Sequence, residues 1–218
     1  MNRDTTPLPS GAEITALHDC LLAAPDWPRA EPAARAGDLW LWLQTNHRFN
    51  SLLWAEEDLA RRTTVADAAI AANKRAIDGY NQARNDATER IDEVMLVALG
   101  LVDAASARSD APLARVPPDA RLHSETAGSM IDRLSIMALK VRAMAEQFAR
   151  ADADPAHREA SAIKLERLRQ QRRDLACCLD TLLSDTAAGR AYFKVYRQFK
   201  MYNDPRFNPV LVAERQGR

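Results

Sequence analysis

The sequence predicts an all-α fold: a bundle of about six helices, two or three of them long, joined by short loops and without a sheet. The chain contains no proline between Pro32 and Pro112, or between Pro155 and Pro205. Proline breaks helix interiors whereas alanine favours them, so alanine-rich stretches of this length are typical of helices. Alternating runs of β-branched residues, which would indicate strands, do not occur.

Six helical segments are predicted in chain order, at residues 11–24, 34–62, 65–107, 126–151, 156–185 and 188–201. Thr64, with Asp67 three residues later, is a candidate cap for the third segment, and Gly79 or Gly100 is a candidate bend within it. The proline-bearing segment 109–124 is predicted to be a loop. The corresponding domain limits are a short N-terminal segment with one helix (1–30), a helical bundle domain (31–204) and an extended C-terminal tail (205–218).

The fifth and sixth segments carry apolar stripes at helical spacing. In the fifth segment the stripe consists of Leu165, Leu168, Leu175, Leu179, Leu182 and Leu183. In the sixth it consists of Tyr192, Val195, Tyr196 and Phe199. Because a helix cannot bury such a stripe alone, these segments are expected to pack antiparallel to neighbouring helices.

Composition and charge narrow the function classes. Of the 218 residues, 47% are hydrophobic and 28% are charged, which suits one folded domain with an ordinary core. Lys+Arg and Asp+Glu each number 30, so no basic field attracts nucleic acid. The cysteines Cys20, Cys177 and Cys178 show no CxxC spacing, which disfavours zinc ribbons and fits reduced thiols. With no apolar N-terminal region and no apolar run of about 18 residues, the sequence predicts a cytoplasmic protein without a transmembrane segment.

The second segment places polar residues on its apolar side. The face that carries Trp40, Leu43, Leu53 and Trp54 also carries His47, Asn50, Glu57, Asp58 and Arg61. Burying a charge is costly unless the charge is paired or hydrogen-bonded. This face is therefore expected to meet polar partners, a ligand or water in a cleft. A structural ion network explains the same pattern.

The third segment supplies candidate partners for that face. Within about a third of its circumference, by the helical period, lie Lys74, Asp78, Asn81, Asn85, Glu89 and Asp92. Arg84 falls instead beside the apolar side, near Ile77 and Tyr80. An alternative interpretation of the same residues is a solvent-exposed face that carries i,i+4 ion pairs.

The fourth segment offers a candidate anion site at its start. The first backbone N–H groups of a helix have no intrahelical partner, so those near Gly128 and Ser129 could hold an anion. Arg133 and Lys140 of the same segment could assist. An ordinary capped helix start, with Gly128 allowing a close helix contact, explains these residues equally.

Four blocks of the sequence resemble a bacterial family, the domain-of-unknown-function family 4254. They read NHRFNSLLWAEEDLARR, KRAIDGYNQARNDATERIDE, SETAGSMIDRLSIMALK and YRQFKMYNDPRFNP, and they span about residues 46–209 in the family's order. The resemblance implies a genetic setting among lipopolysaccharide and other surface-glycan genes, beside glycosyltransferases, but it brings no assigned reaction. Its motif positions correspond to Asn50, Trp54, Glu57, Asp58, Arg61, Lys74, Asp78, Asn81, Arg84, Asn85, Asp86, Glu89, Asp92, Asp132, Arg133, Lys140, Lys200, Asn203 and Asp204.

The first functional hypothesis is that the protein binds an anionic sugar phosphate or nucleotide-sugar, without a cofactor. Arginine and lysine side chains would neutralise phosphate, and Trp54 would stack on a sugar or base. The candidate ligand-binding residues are His47, Asn50, Trp54, Arg61, Lys74, Asp78, Asn81, Arg84, Asn85, Gly128, Ser129, Arg133 and Lys140. The candidate catalytic residues, if the ligand is transformed, are Glu57, Asp58 and Asp132.

Two other classes of function stay open. One is a metal-dependent all-α nucleotide pyrophosphohydrolase, whose acidic helices the sequence loosely resembles. Mg²⁺ would then bind carboxylates of two helices, namely Glu57, Asp58, Glu89 and Asp92. Ala60 stands where that motif needs a further glutamate. The other class is a non-enzymatic adaptor of envelope glycosyltransferases, alone or as a homo-oligomer, in which the polar residues are structural.

Overall fold

The fold is an all-α bundle, as the sequence predicts. The computed structural model describes residues 8–32, 39–198 and 205–216. Its helices are α1 (Gly11–Ala23), α2 (Leu39–Ala60), α3 (Asp67–Ala98), α4 (Ala127–Ala149), α5 (Pro155–Ala187) and α6 (Pro209–Gln216). The exception to the helical prediction is a parallel pairing of two short strands, β1 (Arg121–Leu122) and β2 (Ala191–Tyr192). Within these ranges no helix combines the length and the apolar character needed to cross a membrane.

Helix α4 lies at the centre of the bundle, because it contacts α1, α2, α3 and α5. Its inner side carries Ile131 and Leu134, whose side chains are fully buried. They pack in one apolar core with Leu43 of α2, Ile91 of α3 and Leu179 of α5. Burial of each such side chain contributes about 1.5–3 kcal/mol. This core fixes the positions of the three helices, α2, α3 and α4, that carry most of the predicted site residues.

Helix α1 is part of the same bundle. It begins with a capping box, in which the Ser10 hydroxyl accepts from the Glu13 N–H and the Glu13 carboxylate accepts from the Ser10 N–H. The helix packs against α2, α4 and α5, and its Ile14 and His18 side chains are fully buried. The N-terminal helix therefore adds a buried histidine to the interior of the bundle.

Helix α3 begins and ends differently from the prediction. Its N-cap is Ala66, which makes no side-chain capping hydrogen bond, so the predicted Thr64 cap is wrong. The helix ends at Ala98, well before residue 107. Gly100 has a φ of +73°, a left-handed conformation that glycine adopts readily at helix ends. This glycine therefore terminates the helix and does not bend it.

The predicted helix at 188–201 is wrong over its described part. Gly189, with a φ of +71°, follows the end of α5, and the chain then continues as β2. Ala191 and Phe193 are buried whereas Lys194 is exposed, which is the two-residue alternation of a strand. Residues 199–201 of the predicted helix, and residues 34–38 of the second predicted helix, lie outside the described residues.

The predicted extended tail contains helix α6. Proline is favoured in the first turn of a helix, where its missing N–H needs no partner, and Pro209 begins α6. The prediction of an extended chain is therefore wrong for residues 209–216. Among the described elements, α6 packs against no other helix or strand.

Candidate functional site

A buried polar network joins α2, α3 and α4 around the carboxylate of Asp132. Asn46 Nδ2 and Asn50 Nδ2, one turn apart on α2, donate to Asp132 Oδ1 over 2.8 Å and 2.9 Å. Arg84 Nε of α3 lies 3.9 Å from the same oxygen. A partly desolvated carboxylate needs such donors and a counter-charge, because its charge would otherwise be costly to bury. Asp132 therefore holds the two asparagines and Arg84 in place.

The network continues inward through Ser135 of α4. The Ser135 Oγ accepts a hydrogen bond from Asn50 Nδ2 (3.0 Å) and lies 2.8 Å from His47 Nδ1. Asn46 Nδ2 also donates to Thr88 Oγ1 over 3.1 Å. Asn46, His47 and Ser135 are fully buried. We call this set the polar network; its members are Asn46, His47, Asn50, Arg84, Thr88, Asp132 and Ser135.

Three aromatic rings stack at the inner end of the polar network. The ring of His47 lies 4.4 Å from that of His18 and 5.3 Å from that of Trp27, centroid to centroid. Both nitrogens of His18 and the Nε2 of His47 are buried and lack a hydrogen-bond partner among the described residues. Burial lowers the pKa of His47 to about 3 and that of His18 well below its usual value, and the nearby positive charge of Arg172 acts in the same direction. Both rings are therefore neutral at physiological pH.

An open cleft of about 370 Å³ lies between α2, α3 and α4 on the outer side of the polar network. Asn50 and Arg84 belong to both the network and the cleft. We call this cavity the α2–α3–α4 cleft. It is lined by Asn50, Leu53, Trp54, Glu57, Asp58, Arg61, Asn81, Arg84, Ile136 and Leu139. Its volume falls within the range of small-molecule sites, roughly 300–1,000 Å³.

The expectation that α2 buries charged residues is wrong for its last turns. The side chains of Glu57, Asp58 and Arg61 are 48%, 68% and 69% exposed. Arg61 pairs with Glu57 (3.4 Å) and with Asp58 (3.8 Å). The polar residues that α2 does bury are uncharged: Asn46, His47, Asn50 and Ser51. The charged residues line the rim of the α2–α3–α4 cleft, where water solvates them.

Several other predicted ligand-binding residues lie outside the cleft, and their side chains hydrogen-bond or pair with other residues of the protein. Lys74 Nζ donates to Asp78 on an exposed part of α3, over 2.6 Å. Asn85 accepts hydrogen bonds from the Arg84 side chain. Arg133 forms an ion pair with Glu125. Of the thirteen predicted ligand-binding residues, five line the cleft, namely Asn50, Trp54, Arg61, Asn81 and Arg84. The eight that do not are His47, Lys74, Asp78, Asn85, Gly128, Ser129, Arg133 and Lys140. The motif positions Lys200, Asn203 and Asp204 lie outside the described residues.

The predicted anion site at the start of α4 is occupied by the protein itself. The Gly128 N–H donates to Asp92 Oδ1 over 2.6 Å, and the Ser129 N–H donates to the Thr126 hydroxyl over 3.1 Å. The acceptor at this helix start is therefore the carboxyl group of Asp92, supplied by α3. The assignment of Gly128 and Ser129 to an external ligand is not supported, because both N–H groups already have acceptors.

The carboxylates named for Mg²⁺ do not fit a metal site. Glu89 pairs with Arg197 and accepts from the Gln198 N–H, while Asp92 is buried against Gly128. Glu57 and Asp58 lie at the far end of α2, beside Arg61. Across residues 8–32, 39–198 and 205–216, no group of three or more acidic, histidine or cysteine side chains is placed to share an ion. The four carboxylates are engaged by arginines and backbone donors.

Asp92 gives a stability prediction with a definite sign. Burial raises the pKa of Asp92 to about 7, although hydrogen bonds from Thr126 and Gly128 act in the opposite direction. Because the folded pKa lies above the unfolded value, the folded state binds the extra proton. Its stability should therefore fall by up to about 1.4 kcal/mol per pH unit as pH rises from about 4 to 7. We expect Asp92→Asn, which keeps an acceptor for Gly128, to remove this loss, so that the variant gains stability relative to wild type between pH 5 and pH 8 in urea unfolding. An equal difference between the two proteins at both pH values would show that Asp92 stays ionised in the fold.

Sequence reasoning missed several members of the site. Asn46, Thr88, Ser135, His18 and Trp27 were not among the predicted residues. Spacing offers a partial signal, since Asn46 and Asn50 are separated by four residues and Asp132 and Ser135 by three, which places each pair on one helix face. Nothing in the linear pattern indicates that α1 delivers His18 to the same place.

A family model described as Protein of unknown function (DUF4254) matches residues 40–195. The chain belongs to this family. The DUF4254 match extends from the start of α2 to just beyond β2, so it contains the whole polar network and the whole α2–α3–α4 cleft, whereas α1 and α6 lie outside it. No curated protein and no solved structure matches the chain.

Proposed function

We propose that this DUF4254 protein binds a sugar phosphate or a nucleotide-sugar in the α2–α3–α4 cleft. The proposal includes a cytoplasmic role in bacterial surface-glycan synthesis, which is what the sequence resemblance implies. The observation that carries it is the position of Arg84, which is both a member of the buried network and a lining residue of the cleft.

Arg84 has the properties of an anion-binding group. Its side chain is 24% exposed, and its contact with Asp132 is long, at 3.9 Å. The Nε and Nη2 groups donate to Asn85, whereas Nη1 forms no hydrogen bond within the described part of the chain. A guanidinium held by its neighbours loses little freedom on binding and offers a rigid fork to phosphate oxygens.

The rest of the cleft suits a carbohydrate better than a simple anion. Asn50 and Asn81 offer amide groups, and Glu57 and Asp58 at the rim offer acceptors for hydroxyl groups. Trp54 and Leu53 add apolar surface against which a sugar ring can pack. A site with side chains of both charges beside an apolar wall favours a ligand that has an anionic group and many hydroxyls on a ring, because the charged and the apolar side chains are then both used.

The test is binding of sugar 1-phosphates and nucleotide-sugars by calorimetry and thermal shift, with wild type, Arg84→Gln and Arg75→Gln. Arg75 lies on the same helix, is exposed and does not line the cleft, so it is a matched control for the loss of one charge. The Arg84→Gln variant should bind the ligand about tenfold or more weakly than wild type, because it loses a charge-assisted hydrogen bond. Arg75→Gln should bind as wild type does.

The adaptor hypothesis predicts a different outcome. If no sugar phosphate or nucleotide-sugar binds wild type, and Arg84→Gln complements a deletion strain as well as wild type does, the cleft is not a ligand site. The polar network would then serve only to hold the helices together.

A further inference from the structure

A second cavity, which we call the α4–α5 groove, lies next to the α2–α3–α4 cleft. It has a volume of about 480 Å³ and is lined by Trp54, Lys140, Ala143, Met144, Gln147, Lys164, Arg167, Leu168 and Gln171. Trp54 lines both cavities, so they meet at this side chain. None of the described residues that line the groove is acidic.

Three cations border the α4–α5 groove without a counter-charge. Lys140, Lys164 and Arg167 are exposed, and none forms an ion pair with another described residue. The nearest carboxylates along the chain are used elsewhere. Glu146 binds Arg142, and Glu166 binds Arg169 and Arg173. In a chain whose net charge is zero, this groove is a local concentration of free positive charge.

The groove also has an apolar wall. Trp54, Met144 and Leu168 contribute most of its non-polar lining side chains. An inorganic anion would use the cations and leave this wall exposed to water. A ligand that joins a flat, weakly polar ring to a phosphate group uses both, because the ring packs on the aromatic and thioether side chains while the phosphate contacts the lysines and the arginine.

We propose that the α4–α5 groove binds the nucleoside phosphate part of a nucleotide-sugar, whose sugar lies in the α2–α3–α4 cleft. This inference rests on the proposed function and narrows its ligand from sugar phosphates in general to nucleotide-sugars. Trp54 stands at the junction of the two subsites. Lys140, Lys164 and Arg167 bind the phosphate next to the nucleoside, and Arg84 binds the phosphate next to the sugar.

The test compares three kinds of probe with two matched pairs of substitutions. The probes are nucleoside diphosphates (ADP, CDP, GDP, UDP and dTDP), sugar 1-phosphates, and inorganic pyrophosphate. The groove variant is Lys164→Gln/Arg167→Gln. The control is Arg75→Gln/Arg108→Gln, which also removes two exposed charges. Neither arginine forms an ion pair with another described residue, and neither lines the groove or the cleft. Both variants should fold, since all four side chains are exposed, and thermal unfolding checks this.

At least one nucleoside diphosphate should bind wild type more tightly than pyrophosphate does. The groove variant should bind that nucleoside diphosphate about tenfold or more weakly than wild type. The control variant should bind it as wild type does. The groove variant should keep wild-type affinity for sugar 1-phosphates. If no nucleoside diphosphate binds, or if both double variants weaken it equally, the groove assignment is overturned, while retained binding of sugar 1-phosphates would leave the proposed function intact. Failure of every probe would remove both.

Discussion

Replacing Gly128 with alanine is expected to lower the free energy of unfolding by about 2–4 kcal/mol, from overpacking and from loss of a buried hydrogen bond. A Cβ at this position would lie 2.6 Å from the Thr88 carbonyl oxygen and 2.9 Å from the carboxyl of Asp92. The first of these contacts is with backbone, which cannot rotate away. Helix α4 would therefore move from α3, and the bond from the Gly128 N–H to Asp92 would lengthen.

Gly79 supplies the control for this prediction. It lies on α3, and a Cβ there would meet nothing within 4 Å. Gly79→Ala should therefore stabilise the protein by about 0.5–1 kcal/mol, the usual gain from replacing glycine in a helix interior. Urea unfolding of both variants measures the contrast. Equal and small effects at the two positions would show that α4 does not approach α3 as closely as the structure indicates.

The sequence predicted the helices because their determinants are local. Proline positions and alanine content are read from the chain directly, and α1, α4 and α5 begin and end close to the predicted limits. The errors came where the determinant is a single backbone conformation. Gly100 and Gly189 both adopt positive φ and end helices. The sequence alone does not show whether a glycine bends a helix, ends it or lies within it.

The candidate site was predictable only in part, for a different physical reason. Helical periodicity gives the side of α2 on which a residue lies, and it correctly placed His47 and Asn50 in the interior. It does not show how far neighbouring helices cover that side, so Glu57 and Arg61 were assigned to the interior although they are exposed. The hydrogen bond from the start of α4 to Asp92 likewise depends on how α3 and α4 pack, which the linear sequence does not show.

Because its two buried histidines are neutral in the fold, the protein is expected to lose free energy of unfolding as the pH falls below about 6.5. Their folded pKa values lie below the ordinary value near 6.5, so each contributes its full stability above that pH and loses it as pH falls toward the folded pKa, about 3 for His47. Over this window protonation of the unfolded state at His47 should cost up to about 1.4 kcal/mol per pH unit, and His18 acts in the same direction. Asp92 acts in the opposite direction between about pH 4 and pH 7, so it offsets part of this loss in wild type.

His18→Leu isolates the effect of one ring. Neither nitrogen of His18 has a hydrogen-bond partner among the described residues, so an apolar side chain of similar size leaves no donor or acceptor unmatched. Relative to wild type, the variant should gain stability as pH falls from 6 to 4, by up to about 1.4 kcal/mol per pH unit, since it no longer binds a proton on unfolding. The matched control is His157→Leu, which removes a histidine whose side chain is exposed in the fold. Equal pH dependence in wild type and His18→Leu would mean that His18 is protonated inside the bundle, which the neighbouring His47 and Arg172 oppose.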